Sequence, residues 1–257
     1  MIKLKTFGSF TVGNGLTSVQ EGAWRSEKLE KLFVYLAMNR NRGVCIEDIS
    51  EAIWQVEEET DNPVGALKNL AYRLRKALRD ASFGEECIVS VRGGLYKWND
   101  DVEVTIDVEE FDRYINEAEM AFCRSKETAI ESYEKAIALY HGDFLPLRTD
   151  THWFMTLNAF YHSRYVNTVK ALAKLYIDTG CYEKLEQLCT RAIVYERSDE
   201  QIYSYLIVAR MRTKKVQMAF DTYETAKAII LALERLSCST RCMRSFYLSQ
   251  RVLQATI

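Results

Sequence analysis

The chain has 257 residues, room for two domains each with its own core, and 48% of them are apolar, as in an ordinary globular protein. Lys and Arg number 34 against 36 Asp and Glu, a net charge of −2, which excludes the whole-molecule attraction of a strongly basic polyanion binder; recognition of an anion must rest on a local patch. No stretch approaches the roughly 20 apolar residues of a membrane span, and the opening MIKLKTFGSF reads as a strand and not as a signal peptide, so the expectation is a cytoplasmic protein with no membrane association.

Ile2 to Phe7 and Ser9 to Val12, parted by Gly8, alternate in character and predict two short strands. Ser26 then precedes Leu29, Leu32, Phe33 and Leu36, whose i, i+3, i+4, i+7 spacing marks one face of a helix. Ile46, Ile49 and Ile53 predict a second helix before Trp54, and the acidic stretch Gln55 to Asp61, QVEEETD, comes after it.

Asn62 to Arg79, NPVGALKNLAYRLRKALR, is the most informative segment. Asn62 can cap the free amides of a first turn, and Pro63 at the first helical position gives up a donor that has no partner there anyway. At about 100° per residue, Val64, Leu67, Ala71, Leu74 and Leu78 share a narrow arc, with Gly65, Asn69, Tyr72, Arg73 and Lys76 opposite and Lys68, Arg75 and Arg79 on the flanks. No acidic residue interrupts this helix before Asp80, so its outer face is locally positive. A solvated helix can look the same. The adjoining segment shifts the balance: Glu86 to Trp98, ECIVSVRGGLYKW, predicts a β-hairpin with Val89 and Val91 alternating against Ser90 and Arg92, a turn at Gly93-Gly94, and Arg92 at the tip. Helix, helix, basic helix, hairpin is the order of a winged helix, whose last helix enters the major groove while the hairpin tip adds a backbone contact.

These residues carry a resemblance. IKLKTFGSFTV, SEKLEKLFVYLAMNRNRGVCIEDISEAIW, the helix ending YRLRKAL and the wing VRGGLYKW together resemble the OmpR-type winged helix-turn-helix of the Streptomyces antibiotic regulatory protein family. The resemblance implies DNA contacts from Arg73 and Arg75 on the helix and Arg92 and Tyr96 at the wing; the helical wheel adds Lys68, Asn69, Tyr72 and Lys76. Leu95 stands where the family usually has glycine, and Leu70 at a position that is often polar. In OmpR-type activators the loop before the last helix faces RNA polymerase, so the resemblance implies a polymerase contact at Glu57, Glu58, Glu59 and Asp61. Read from charge alone, Glu59 and Asp61 favour the positive end of the next helix, and the loop is equally a solvated one.

From about Val104 strand-like alternation gives way to amphipathic helical patterns, broken at Gly142 and Pro146 and again at Gly180. Leu185, Leu188 and Ala192 match Ala219, Thr222 and Ala226 at an offset of 34 residues, the tetratricopeptide period. Leu172 and Tyr176, then Tyr203, Leu206 and Tyr223, take the large positions of such units, and Ala129, Tyr133 and Ala136 suggest an earlier one. Small residues at fixed places let helices approach closely, so these positions read as core and not as ligand contacts. DVEEF at Asp107 to Phe111, AIESYEKAIALYHGDFLP from Ala129 and Trp153 resemble the same family's bacterial transcriptional activator domain.

The expected fold is mainly α with a small β component: a winged helix over residues 1–102, then a tetratricopeptide-like helical domain over 103–257. The resemblance implies a DNA-binding transcription regulator, an activator that recruits RNA polymerase at promoters with direct repeats, acting as a homodimer on double-stranded DNA. A protein-interaction adaptor whose winged helix no longer binds DNA is the alternative, favoured by the acidic loop and the near-neutral charge. An enzyme is not expected, since no nucleophile, acid–base pair or phosphate-binding glycine loop can be assembled. No cofactor or metal is expected: the seven cysteines, Cys45, Cys87, Cys123, Cys181, Cys189, Cys238 and Cys242, are scattered without a CxxC pair and read as reduced thiols, and His141, His152 and His162 have no partner at a recognisable spacing.

Overall fold

The computed structural model describes residues 1–20, 22–24, 26–54, 62–83, 87–91, 94–146 and 151–232. Its contacts divide the chain into two compact units, Met1–Thr168 and Val169–Ile257.

The first unit opens with β1 (Ile2–Lys5), β2 (Thr11–Gly13) and β3 (Ser18–Gln20), followed by α1 (Glu27–Met38), α2 (Ile46–Ile53) and α3 (Pro63–Asp80). The wing is β4 (Ile88–Val91) and β5 (Leu95–Trp98), and β6 (Val104–Ile106) leads directly into α4 (Asp107–Ala121) and α5 (Lys126–Leu139). Four strands form one sheet in the order β3-β2-β1-β6, antiparallel except that β6 runs parallel to β1 with Ile2 opposite Val104 and Leu4 opposite Ile106. The sequence reading ended strand character at about Val104 and missed both β3 and β6. At three residues apiece they are too short to show a period of two.

Asp107 joins sheet to helix. Its Oδ2 accepts from the amides of Thr6 at 2.7 Å and Phe7 at 2.9 Å, and its Oδ1 accepts from the Thr6 hydroxyl at 2.6 Å and the Val108 amide at 3.0 Å. Burial pushes this carboxyl above its ordinary value while the four donors pull it back. Beside it, Phe7 meets the rings of Phe111, Tyr140 and Tyr161 at centroid distances of 5.2, 5.0 and 5.7 Å. Gly8 permits this junction: its φ is +79°, and a Cβ there would stand 2.5 Å from the His141 carbonyl oxygen.

The three-helix core is held from both sides. Leu32, Phe33, Ile49, Leu67 and Leu74 are buried where α1, α2 and α3 meet. On the other side, Arg40 forms a two-pronged ion pair with Glu109 of α4, its second nitrogen 2.8 Å from Oε2. The long α6 (His152–Thr179) brings Trp153 edge-on to Tyr35 at 4.8 Å, and Thr151 just before it donates to the Ala52 carbonyl at 2.8 Å.

In the second unit α7 (Tyr182–Tyr195) packs against α8 (Glu200–Arg212), and a further helical run covers 216–232. Leu185, Leu188 and Ala192 on α7 are buried, and so are Ala219, Thr222 and Ala226 on the last run, as the 34-residue offset predicts. Tyr223, read as one of the repeat's large core positions, is instead 50% exposed, because the three buried residues define a face whose edge it occupies. Glu186 ties the pair together: it accepts from Arg210 at 3.3 Å and Lys215 at 2.7 Å, and the Lys215 hydrogen bond holds its carboxyl below the ordinary value. Arg210 also donates to the Met218 carbonyl at 3.1 Å and to Thr222, fixing the next helix. Burial pushes the Cys189 thiol up to about 12, so it is inert packing. Among the described residues no helix is long and apolar enough to cross a membrane, and no group of side chains has the composition of a metal site.

Candidate nucleic-acid interface

α3 begins where its caps put it. Asn62 Oδ1 accepts from the Gly65 amide at 2.8 Å, with Pro63 at the first helical position. Gly65 is needed for this geometry, since a Cβ there would meet Asn62 Nδ2 at 2.6 Å. Asn62→Ala removes the cap and is expected to cost about 1 kcal/mol of stability, read as a small fall in Tm with a denaturation slope unchanged from wild type.

The buried side of α3 is Leu67, Leu70, Ala71, Leu74 and Leu78. Leu70 joins the face because it lies about 40° from Leu74 on the wheel. Val64, expected on that face, is 43% exposed. The opposite side carries Lys68, Asn69, Tyr72, Arg73, Lys76 and Arg79, all exposed, with Tyr72 at 61%. Among the described residues none of these six side chains has a hydrogen-bond or ion-pair partner, so the cations present an uncompensated positive ridge.

Arg75 behaves differently. It is half-buried, and its Nε donates to the Ile88 carbonyl at 3.0 Å, so the guanidinium pins the first wing strand to the helix. Tyr96, the expected wing contact, is 5% exposed, and its backbone pairs with Val44 in both directions, N to O at 2.8 and 2.9 Å. Burial raises the Tyr96 phenol above its ordinary value, opposed by the nearby Arg75 charge. Alternation along LYKW identifies two faces but not which one is covered; packing of β5 on α1, where Trp98 meets Phe33 at 5.4 Å, decides it, and no local pattern encodes that contact. The same goes for the Arg75 bond, which sequence reasoning also missed.

The wing strands pair as expected, Ile88 with Trp98 and Val91 with Leu95, and Gly94 at the turn has φ +78°. Leu95, where the family usually has glycine, is an ordinary strand residue in this register, and its side chain closes on Gly43. Arg92 and Gly93 lie outside the described residues, as do Glu57, Glu58, Glu59 and Asp61 of the acidic loop and, further on, Cys238 and Cys242.

The profile of the bacterial transcriptional activator domain matches residues 106–241, more than half of the chain. No curated protein sequence matches. Among solved structures the chain is similar in fold to Mycobacterium tuberculosis EmbR, a protein solved in complex with a low-affinity phosphopeptide; the TM-score is 0.67 over 91% of this chain at 18% identity. The chain spans 65% of that protein's length. Winged helix and helical activator domain thus occur in the order that the sequence resemblance implied, and the chain belongs to the family of bacterial transcription regulators built on the bacterial transcriptional activator domain.

Proposed function

We propose that the chain is a sequence-specific DNA-binding regulator, with residues 1–102 reading double-stranded promoter DNA and residues 103–257 serving activation. The observation that carries this reading is the uncompensated outer face of α3, where Lys68, Asn69, Tyr72, Arg73 and Lys76 stand exposed with no acidic neighbour on the helix before Asp80. Lys68, Lys76 and Arg79 supply phosphate contacts that set register, and the remaining polar side chains reach base edges. Arg75 and Tyr96 serve indirectly, by holding the wing at a fixed height beside the helix so that Arg92 can meet the backbone. The regulator acts as an activator on direct repeats, two protomers side by side, with Glu57, Glu58, Glu59 and Asp61 offered to RNA polymerase.

The test is selection of fragments from pooled genomic DNA by the purified chain at two salt concentrations. Enrichment of a few fragments carrying repeated short sites, surviving the higher salt, is the expected result. Only a weak background that vanishes with salt sinks the DNA reading in favour of the adaptor, and directs attention to the helical repeats as a partner surface.

A further inference from the structure

We infer that Asn69 and Arg73 are the specificity residues of α3, reading an adenine and a guanine that lie one or two base-pair steps apart in the major groove. The inference rests on the DNA-binding reading above and adds which bases the helix selects.

Two observations lead to it. Asn69 and Arg73 are one helical turn apart on the exposed side of α3, so they point the same way with a rise of about 6 Å between them. That distance covers one or two steps of a duplex whose bases stack about 3.4 Å apart. Neither side chain has a partner among the described residues, in contrast to Arg75 two residues on, which donates to Ile88. Their hydrogen-bonding groups are therefore available to a ligand.

Chemistry assigns the bases. A carboxamide offers an acceptor and a donor side by side, which matches the N6 amino group and N7 of adenine. A guanidinium fork offers two parallel donors, which match O6 and N7 of guanine. Lys68 and Lys76 flank the pair with single ammonium charges that lack fork geometry and suit phosphate oxygens. Tyr72, between the two reading residues, presents an exposed ring that suits a thymine methyl group or a sugar, adding contact area without a donor–acceptor code.

The experiment is selection from a random duplex library with wild-type chain, Asn69→Ala and Arg73→Ala, each variant first shown by thermal melting to retain wild-type stability. The expected wild-type motif contains an adenine and a guanine within two steps of each other. Asn69→Ala should flatten the adenine position alone and Arg73→Ala the guanine position alone, each losing on the order of ten- to a hundredfold of preference there. A wild-type motif without that adenine–guanine pair overturns the assignment. So does a motif that survives both substitutions while binding weakens uniformly; that result makes both residues phosphate contacts and leaves the DNA-binding reading standing. Absence of any wild-type motif overturns the assignment and the DNA-binding reading together.

Discussion

Asp107→Ala is expected to lower folding stability by about 3–5 kcal/mol, because it strips the acceptor from several buried donors at once. The amides of Thr6, Phe7 and Val108 and the Thr6 hydroxyl all converge on this carboxylate, and alanine leaves them without water or partner. For a chain of this length that corresponds to a fall in Tm on the order of 10 °C. Asp107→Asn keeps one acceptor oxygen and turns an amide donor toward the others, so its loss should lie between wild type and alanine. Calorimetry on the three proteins decides the matter: an alanine variant melting within a degree or two of wild type removes Asp107 from its role as the link between β1 and α4.

The combined substitution Lys68→Ala, Lys76→Ala and Arg79→Ala is expected to reduce affinity for the preferred DNA roughly a hundredfold at physiological salt, while leaving the preferred sequence unchanged. The magnitude comes from counterion release: each lost phosphate contact takes about 0.9 from the slope of log affinity against log salt, so three contacts take about 2.7. At about 0.15 M salt those exponents multiply to two orders of magnitude. The three side chains are exposed and without intrachain partners among the described residues, so folding should not be disturbed. Titrations at four or five salt concentrations supply the slope directly. Parallel lines for the variant and wild type remove these residues from the interface.

What the sequence revealed and what it hid divide along physical lines. α3 was legible because its cap, its proline and its apolar period all act within one helix; only the outlying Val64 was misplaced, and Leu70 was left off the buried arc. The repeats were legible because Leu185, Leu188 and Ala192 recur as Ala219, Thr222 and Ala226, and burial tracks the same residues. β3 and β6 were not legible, since three-residue strands have no period and β6 is specified by partners about a hundred residues away. The candidate site shows the same division. The exposed ridge of Lys68, Asn69, Tyr72, Arg73 and Lys76 emerged from a helical wheel. The inward position of Tyr96 depends on the packing of β5 against α1, and the tethering of Arg75 depends on Ile88, and neither pairing is written in local pattern.

The parallel pairing of β6 with β1 bears on how such regulators can be taken apart and recombined. A head cut away at residue 102 carries the reading helix and wing but loses β6 and Asp107. β1 then becomes a bare sheet margin, with the Thr6 and Phe7 amides turned toward solvent or toward a neighbouring molecule. Exchange of binding specificity between related regulators therefore has a natural crossover point within or after α4, and not at the end of the wing. A reading head transplanted with β6 and Asp107 attached arrives with its own foundation.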